Sequence, residues 1–389
     1  MAINLCYTPE QNALRAQART WLREHVPGEP LRTLEGEVGF SQHREWERTL
    51  ARGNWGMITW PREYGGRGAS LIDWLVFEEE YYRAGAPARV NQNGLFLLGP
   101  TLMEFATAAQ KARFLPKMAA GEEIWAQAWS EPQAGSDLAA LSATAQRDGD
   151  QYLLRGHKIW SSRATFADWC FGLFRTDPGS QRHRGLSFIL VPLRHPGVRV
   201  RGIRQIHGEP GFAEVFFEEA RVPVENRVGE EGQGWQIAMA TAGFERGLML
   251  RSPARFQATA HKLIELYRKH ADEAEPGLAA TVAQAWMDAE AYALNTYMTA
   301  TRLMAGGSIG VEASLNKIFW SELDLSMHRA ALSLLGARAE ILPHAADAGD
   351  AGTWLEGFLF SLAGTIYAGT NEVQRNIIAE RLLGLPREP

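Results

Sequence analysis

Thiols, long apolar runs and surplus charge are all scarce in this sequence, and each scarcity excludes something. Only Cys6 and Cys170 occur among 389 residues, far apart in the chain. Neither a disulfide framework nor a thiolate metal cage is written here, and a reducing cytoplasm is the compartment that fits. No uncharged apolar run is long enough to span a bilayer. Between Met1 and Pro27, the charges of Glu10, Arg15, Arg19, Arg23 and Glu24 interrupt any signal-peptide apolar stretch, so no export by that route is expected. Lys plus Arg number 40 against 45 Asp plus Glu, a net charge of -5, and no basic block is dense enough to release counterions from a nucleic acid. DNA and RNA are not expected partners. What remains is the composition of an ordinary globular protein, with 46% hydrophobic and 22% charged residues, 38 Gly and 18 Pro. At roughly 150 residues per domain the length suffices for two to three domains and a sizeable core.

The apolar period changes twice along the chain. Thr8 and Gln11 form a capping-box pair before a helical stripe of Leu14, Ala18, Trp21 and Leu22, which Pro27 ends. Further helices are predicted over Phe40 to Gly53, Leu71 to Ala84 and Leu98 to Ala119, with breakers such as Pro61-Arg-Glu-Tyr-Gly-Gly and Gly85-Ala-Pro between them. From Ile124 to Val224 the pattern turns to short β runs, among them Tyr152-Leu-Leu, Trp169 to Phe174, Leu186 to Val191, Val198 to Arg201 and Val215-Phe-Phe, with turn residues between. These predict a compact antiparallel β domain. From Trp235 onward the helical period returns, with a first long helix reaching the break at Pro276-Gly277, a second reaching Gly306-Gly307 and a third running through Gly336. The expected fold is therefore α+β: an N-terminal helical domain (1–124), a central β domain (125–228) and a C-terminal four-helix-bundle-like domain (229–389).

Several familiar signatures are missing. No G-x-G-x-x-G follows a strand and no P-loop occurs; Gly65-Gly-Arg-Gly68 reads as a plain turn. The ten histidines are scattered, with no i, i+4 pair carrying a Glu, so no metal site is expected. Ser136, in Ala134-Gly-Ser-Asp137, lacks the flanking glycines of a nucleophile elbow.

Three stretches are informative together. The first runs from Trp125 through Gln127, Trp129, Ser130, Glu131, Gly135 and Ser136 to Asp137, followed by Gly156-His-Lys-Ile-Trp-Ser-Ser162. The second is Arg221-Val-Pro-Val-Glu-Asn followed by Gly229-Glu-Glu-Gly-Gln-Gly234. The third is Tyr367-Ala-Gly-Thr-Asn-Glu-Val-Gln-Arg375. In this order and at these spacings they closely resemble the acyl-CoA dehydrogenase family over essentially the whole chain. The resemblance implies the acyl-CoA dehydrogenase fold and an FAD cofactor. It also implies oxidation of an acyl-CoA thioester by removal of a proton from Cα and a hydride from Cβ. Gln127, Trp129, Ser130, Trp160 and Ser162 would line the flavin ring. Gly135 and Ser136 would lie near the acyl-CoA or flavin phosphate side, and Thr370 and Glu372 near the adenine half. Tyr367, Gly369, Ser136 and Arg246 would meet the substrate. On their own chemistry, without the resemblance, Trp129 and Trp160 read as core aromatics and the serines as turn formers.

Abstraction of a proton next to a thioester calls for a carboxylate in a dry pocket. Most family members carry it as the Glu of a Tyr-Glu-Gly-Thr run, but here that run is Tyr367-Ala368-Gly369-Thr370. A minority, including isovaleryl-CoA dehydrogenase-like enzymes, place the base on the first long helix of the C-terminal bundle just before an Arg, and this chain has Gly243-Phe-Glu245-Arg246 there. The resemblance thus assigns the base to Glu245 and leaves to Ala368 its backbone N–H, a donor to the thioester carbonyl. Helical spacing places Thr241, Ala242, Leu248 and Met249 one turn from Glu245. Spacing alone also allows a surface Glu paired with Arg246 or Arg251.

The family's Arg-x-x-Phe-Gly sequence, whose Arg reaches a neighbouring subunit's FAD, is absent from the corresponding Tyr267 to Gly277. The form with relocated Glu most resembles bacterial members acting on bulky or branched acyl groups, including sterol side chains, some built from two different subunits. A homo- or hetero-tetramer passing electrons to an electron-transfer flavoprotein is the implied assembly. The rival readings are a same-fold flavin monooxygenase, an enzyme acting on carrier-protein thioesters, and a non-catalytic partner subunit.

Overall fold

In a computed structural model that describes residues 6–245, 248–341, 345 and 349–386, the chain runs helices, then sheet, then helices. The first helices are α1 (Pro9–His25), α2 (Glu37–Arg52), α3 (Leu71–Arg83), α4 (Gly99–Phe105) and α5 (Ala108–Ala119). The Thr8/Gln11 capping box forms as the sequence predicts, and two more, Ser70/Asp73 and Thr107/Gln110, start α3 and α5. The last of these explains why Leu98 to Ala119 is two helices: Ala106 turns extended, and Thr107 with Gln110 satisfies the first N–H groups of a new helix.

The strands are β1 (Trp125–Ala128), β2 (Thr144–Asp148), β3 (Gln151–Ser162), β4 (Trp169–Arg175), β5 (Leu186–Pro192), β6 (Val198–Ile203), β7 (Phe212–Pro223) and β8 (Arg227–Val228). They form one sheet in the order β6-β7-β3-β2-β4-β5-β8, with β1 added to β4. Most pairings are antiparallel, but β1 and β2 each pair with β4 in parallel, so the sheet is mixed. The chain between β1 and β4 contains a whole hairpin, β2 to β3, long enough to return a strand in the same direction.

After the sheet come α6 (Gly234–Glu245), α7 (Pro253–His270), α8 (Leu278–Met304), α9 (Glu312–Leu335), α10 (Gly349–Gly364) and α11 (Asn371–Ile377). The single long helix expected from Trp235 to Pro276 is instead two, α6 and α7, with a turn at Leu248 to Leu250 between them. Ser252 is driven into an extended conformation by Pro253, which opens α7 at a position where a missing N–H costs nothing. Leu248 and Met249 lie in a turn and not one helical turn beyond Glu245.

By packing, the chain divides into two compact units, one from residues 1–26, 70–86 and 246–389, the other from residues 27–69 and 87–245. In the first, α7 contributes the stripe Phe256, Ala260 and Leu263 to a core with Tyr292, Trp320 and Met327. Here α1 is held to α3 by Arg15 on Glu79 at 2.7 Å and Arg19 on Glu80 at 2.8 Å. In the second, inward residues of the strands, among them Tyr152, Leu154, Phe174, Ile189 and Val215, form the core beneath Phe40 and Val90.

Candidate active site

In the sheet unit, the sequence-predicted residues Gln127, Trp129, Ser130, Trp160 and Ser162 lie on β1, the turn after it, and the end of β3. Two ties to main-chain carbonyls hold these segments together: the Ile159 N–H donates to the Ser130 carbonyl at 2.9 Å, and the Lys158 side-chain Nζ donates to the Trp129 carbonyl at 3.2 Å. The register of β3 against β7 slips between Lys158 and Ser161. That bulge puts Trp160 in the left-handed region at φ 61°, turns its indole outward to 57% exposure, and sets it edge-on to Phe212. Trp129, in contrast, is buried edge-on to Phe171 and Phe188.

Beneath this rim lies a buried ion pair that sequence reasoning missed. Lys158 Nζ bonds Glu131 Oε1 at 2.8 Å, and both side chains are essentially inaccessible. Glu131 also accepts from the Ser142 and Ala143 N–H groups and the Ser142 hydroxyl. Burial pushes the Glu131 carboxyl up, but the Lys158 ammonium and those N–H groups outweigh it and hold the carboxyl below its usual range. Alternation along β3 was the available signal, since Lys158 falls on the inward face with Leu154 and the cation needs a partner there.

The donor set of this region suits a flat ring system with a polar edge. Trp160 offers an exposed apolar face, and the buried Trp129 Nε1 and Ser161 Oγ have no hydrogen-bond partner among the described residues. Gly135 and Ser136 lie in an exposed turn, which an ion pair between Asp137 and Arg182 at 2.8 Å ties back to the sheet unit.

In the other unit, Tyr367 to Thr370 link α10 to α11. Ala368 and Gly369 are consecutive left-handed residues, at φ 59° and 81°. A side chain at 369 would meet Gln374, whose amide donates to the carbonyls of both Ala368 and Gly369 at 3.4 Å. Thr370 caps α11 by accepting from the Val373 N–H, and Glu372 is exposed in the first turn. Buried Asn371 accepts from Lys317 Nζ at 2.6 Å and from the Ser321 hydroxyl, anchoring α11 on α9. Tyr367 packs against Trp320, with ring centroids 6.0 Å apart.

Glu245 is half-buried at the end of α6, one turn beyond Thr241, whose hydroxyl bonds Thr101 at 2.8 Å. Arg246 lies outside the described residues. Among the described residues no His, Cys, Asp or Glu group is arranged to hold a metal ion, and no helix is long and apolar enough to cross a membrane.

Comparison with known proteins agrees with this organisation. Family models describing the N-terminal, middle and C-terminal domains of acyl-CoA dehydrogenases match residues 8–122, 126–220 and 232–383. The chain is 42% identical to the acyl-CoA dehydrogenase IpdE1 of Mycobacterium tuberculosis, over 96% of this chain and 97% of the relative. Among solved structures it is similar to the Tcur3481-Tcur3483 steroid acyl-CoA dehydrogenase, with 30% identity, a TM-score of 0.87, and 99% and 100% of the two chains covered. It is likewise similar to the ChsE4-ChsE5 complex of Mycobacterium tuberculosis, with 33% identity, a TM-score of 0.85 and full coverage of both chains. The helix, sheet and helix order, the two predicted loops and these full-length matches together show that the chain belongs to the acyl-CoA dehydrogenase family of flavoprotein oxidoreductases.

Proposed function

We propose that this protein is an FAD-dependent acyl-CoA dehydrogenase that uses Glu245 as its base and acts on a bulky or branched acyl group. The observation that carries the reading is the pairing of an absence with a presence: Ala368 supplies no proton acceptor in the Tyr367 to Thr370 loop, and Glu245 supplies one at the family's alternative position. FAD, when bound, accepts the hydride from Cβ. Glu245 takes the Cα proton on its carboxylate, so the thioester loses two hydrogens and gains a carbon–carbon double bond. The Ala368 N–H donates to the thioester carbonyl as negative charge develops there. Trp129, Trp160 and Ser162 hold the flavin ring, with Gln127 and Ser130 at its edge. Thr370 and Glu372 serve the adenine half. Gly135 and Ser136 serve the phosphates, and Arg246 meets the acyl-CoA.

Bulk is supported by the steroid acyl-CoA dehydrogenase among the similar structures and by the small side chain at 368. Assembly into a homo- or hetero-tetramer is supported by the apolar groove of about 660 Å³ between α8 and α9, lined by Tyr292, Met298, Leu315 and Phe319. Trp286, Met287 and Leu294 are exposed nearby on α8. An electron-transfer flavoprotein is the expected acceptor.

The test is anaerobic mixing of the purified yellow protein with acyl-CoA thioesters of increasing bulk. The visible flavin absorbance is expected to bleach, and Glu245→Gln is expected to slow bleaching by about a thousandfold while leaving the flavin bound. Bleaching at the parent rate in that variant would reject Glu245 as the base.

A further inference from the structure

Among the described residues, Arg251 is a buried cation without an anion. Its side chain is in the 9%-exposed residue just before α7, and its guanidinium lies 4.7 Å from the Trp320 ring centre and 5.3 Å from that of Tyr367. Its Nη1 donates to the Leu250 carbonyl at 3.2 Å, and its Nε has no acceptor among the described residues. No described carboxylate comes within ion-pair distance of it. Arg255, one turn along the chain, shows the contrast: it is paired with Asp324 at 2.8 Å. The Asp324 carboxylate is thus engaged by Arg255.

The neighbouring polar atoms are unsatisfied as well. The hydroxyls of Ser252, 3% exposed, and Tyr367 have no partner among the described residues. The backbone here is held in place, because the Tyr292 hydroxyl donates to the Arg251 carbonyl at 3.1 Å. Leaving the buried Arg251 Nε and two hydroxyls without acceptors is costly, and an acceptor oxygen that reached them would remove that cost. The flanking Trp320 and Tyr367 rings add apolar walls that favour hydrocarbon around that oxygen.

We propose that Arg251, with Ser252 and Tyr367, forms a polar subsite for an oxygen carried on the acyl group, so that the substrate class is an oxygen-bearing acyl thioester and not a plain hydrocarbon one. The inference rests on reading the Tyr367 to Gly369 loop as the thioester site. The shared chemistry is an acceptor oxygen, supplied by either a carboxylate or a ketone.

The experiment compares kcat/KM of the flavin-loaded enzyme for the bulky 3-cyclohexylpropanoyl-CoA, its ring 4-ketone and its ring 4-carboxylate, in the parent and in Arg251→Met and Arg251→Lys. The parent is expected to favour one oxygenated substrate by about tenfold to a hundredfold, the range of a charge-assisted hydrogen bond. Preference for the carboxylate identifies an anion as the ligand, and preference for the ketone a neutral acceptor. Arg251→Met is expected to collapse the preference mainly through KM, and Arg251→Lys to keep part of it. If Arg251→Met does not fold, judged by melting and the flavin spectrum, Tyr367→Phe carries the same comparison and is expected to weaken the preference several-fold. No preference in the parent, or an equal loss on all three substrates in Arg251→Met, overturns the subsite: water alone would then occupy the position. Failure of all three substrates to bleach the flavin overturns the underlying dehydrogenase reading, and the subsite with it.

Discussion

Lys158 and Glu131 meet at 2.8 Å with neither side chain accessible to water, and the same ammonium reaches the carbonyl of Trp129. Removing one partner strands the other. Lys158→Met is expected to cost about 3 to 5 kcal/mol in denaturant unfolding and to weaken flavin retention. The double variant with Glu131→Leu is expected to recover much of that stability. Equal losses in the single and double variants would show that the pair is not coupled.

The same pair predicts an acid limit. The Glu131 carboxyl is held below its usual range by Lys158 and the Ser142 and Ala143 N–H groups, against the upward push of burial. A depressed folded-state value means that the stabilisation is complete above the unfolded-state value and is lost as pH falls through the folded one. Melting temperatures are expected to fall below about pH 4, near the ordinary Glu range, and the Lys158→Met, Glu131→Leu protein is expected to show a shallower fall.

His328 acts at milder pH. Burial pushes its imidazole below the usual range, and the Arg255 guanidinium adds to this, although Asp324 opposes it. Between its folded and unfolded values the unfolded chain binds the extra proton, so stability drops as pH falls from 7 toward 5. Replacing His328 with Gln is expected to flatten that part of the melting profile. An unchanged slope would assign the titration to another group.

If Glu245 is the base, the carboxylate can be moved back to the loop. Glu245→Gln combined with Ala368→Glu is expected to regain a measurable part of the bleaching rate lost in Glu245→Gln alone. Glutamate tolerates the left-handed backbone at 368 no worse than alanine does, since both carry a Cβ. No recovery in a folded, flavin-bound double variant would count against the two positions being interchangeable.

Thiol chemistry offers a simple check on the fold. Burial pushes the Cys170 thiol up to about 12, whereas Cys6 is exposed. A thiol reagent at neutral pH is expected to modify Cys6 in the native protein and Cys170 only after unfolding.

Much of this was legible in the residues. The Thr8 capping box, the β runs from Tyr152 onward and the breaks at Gly277 and Gly306 are local signals, and local signals survive folding. The two features read least well depend on more than local periodicity. The break between α6 and α7, where Pro253 opens the second helix, is masked by the continuous apolar stretch. The Lys158 partner is 27 residues away in sequence, and nothing in either stretch alone pairs them. The position of Arg251 between Trp320 and Tyr367 joins three distant parts of the chain and leaves no mark on sequence periodicity.

The ties at Trp129 and Ser130 run through carbonyl groups and not through the indole or the hydroxyl. These ties do not depend on the side chain at either position, although the buried Trp129 indole also packs on Phe171 and Phe188. The backbone of that rim is thus fastened from behind, by an ammonium and an amide that belong to β3.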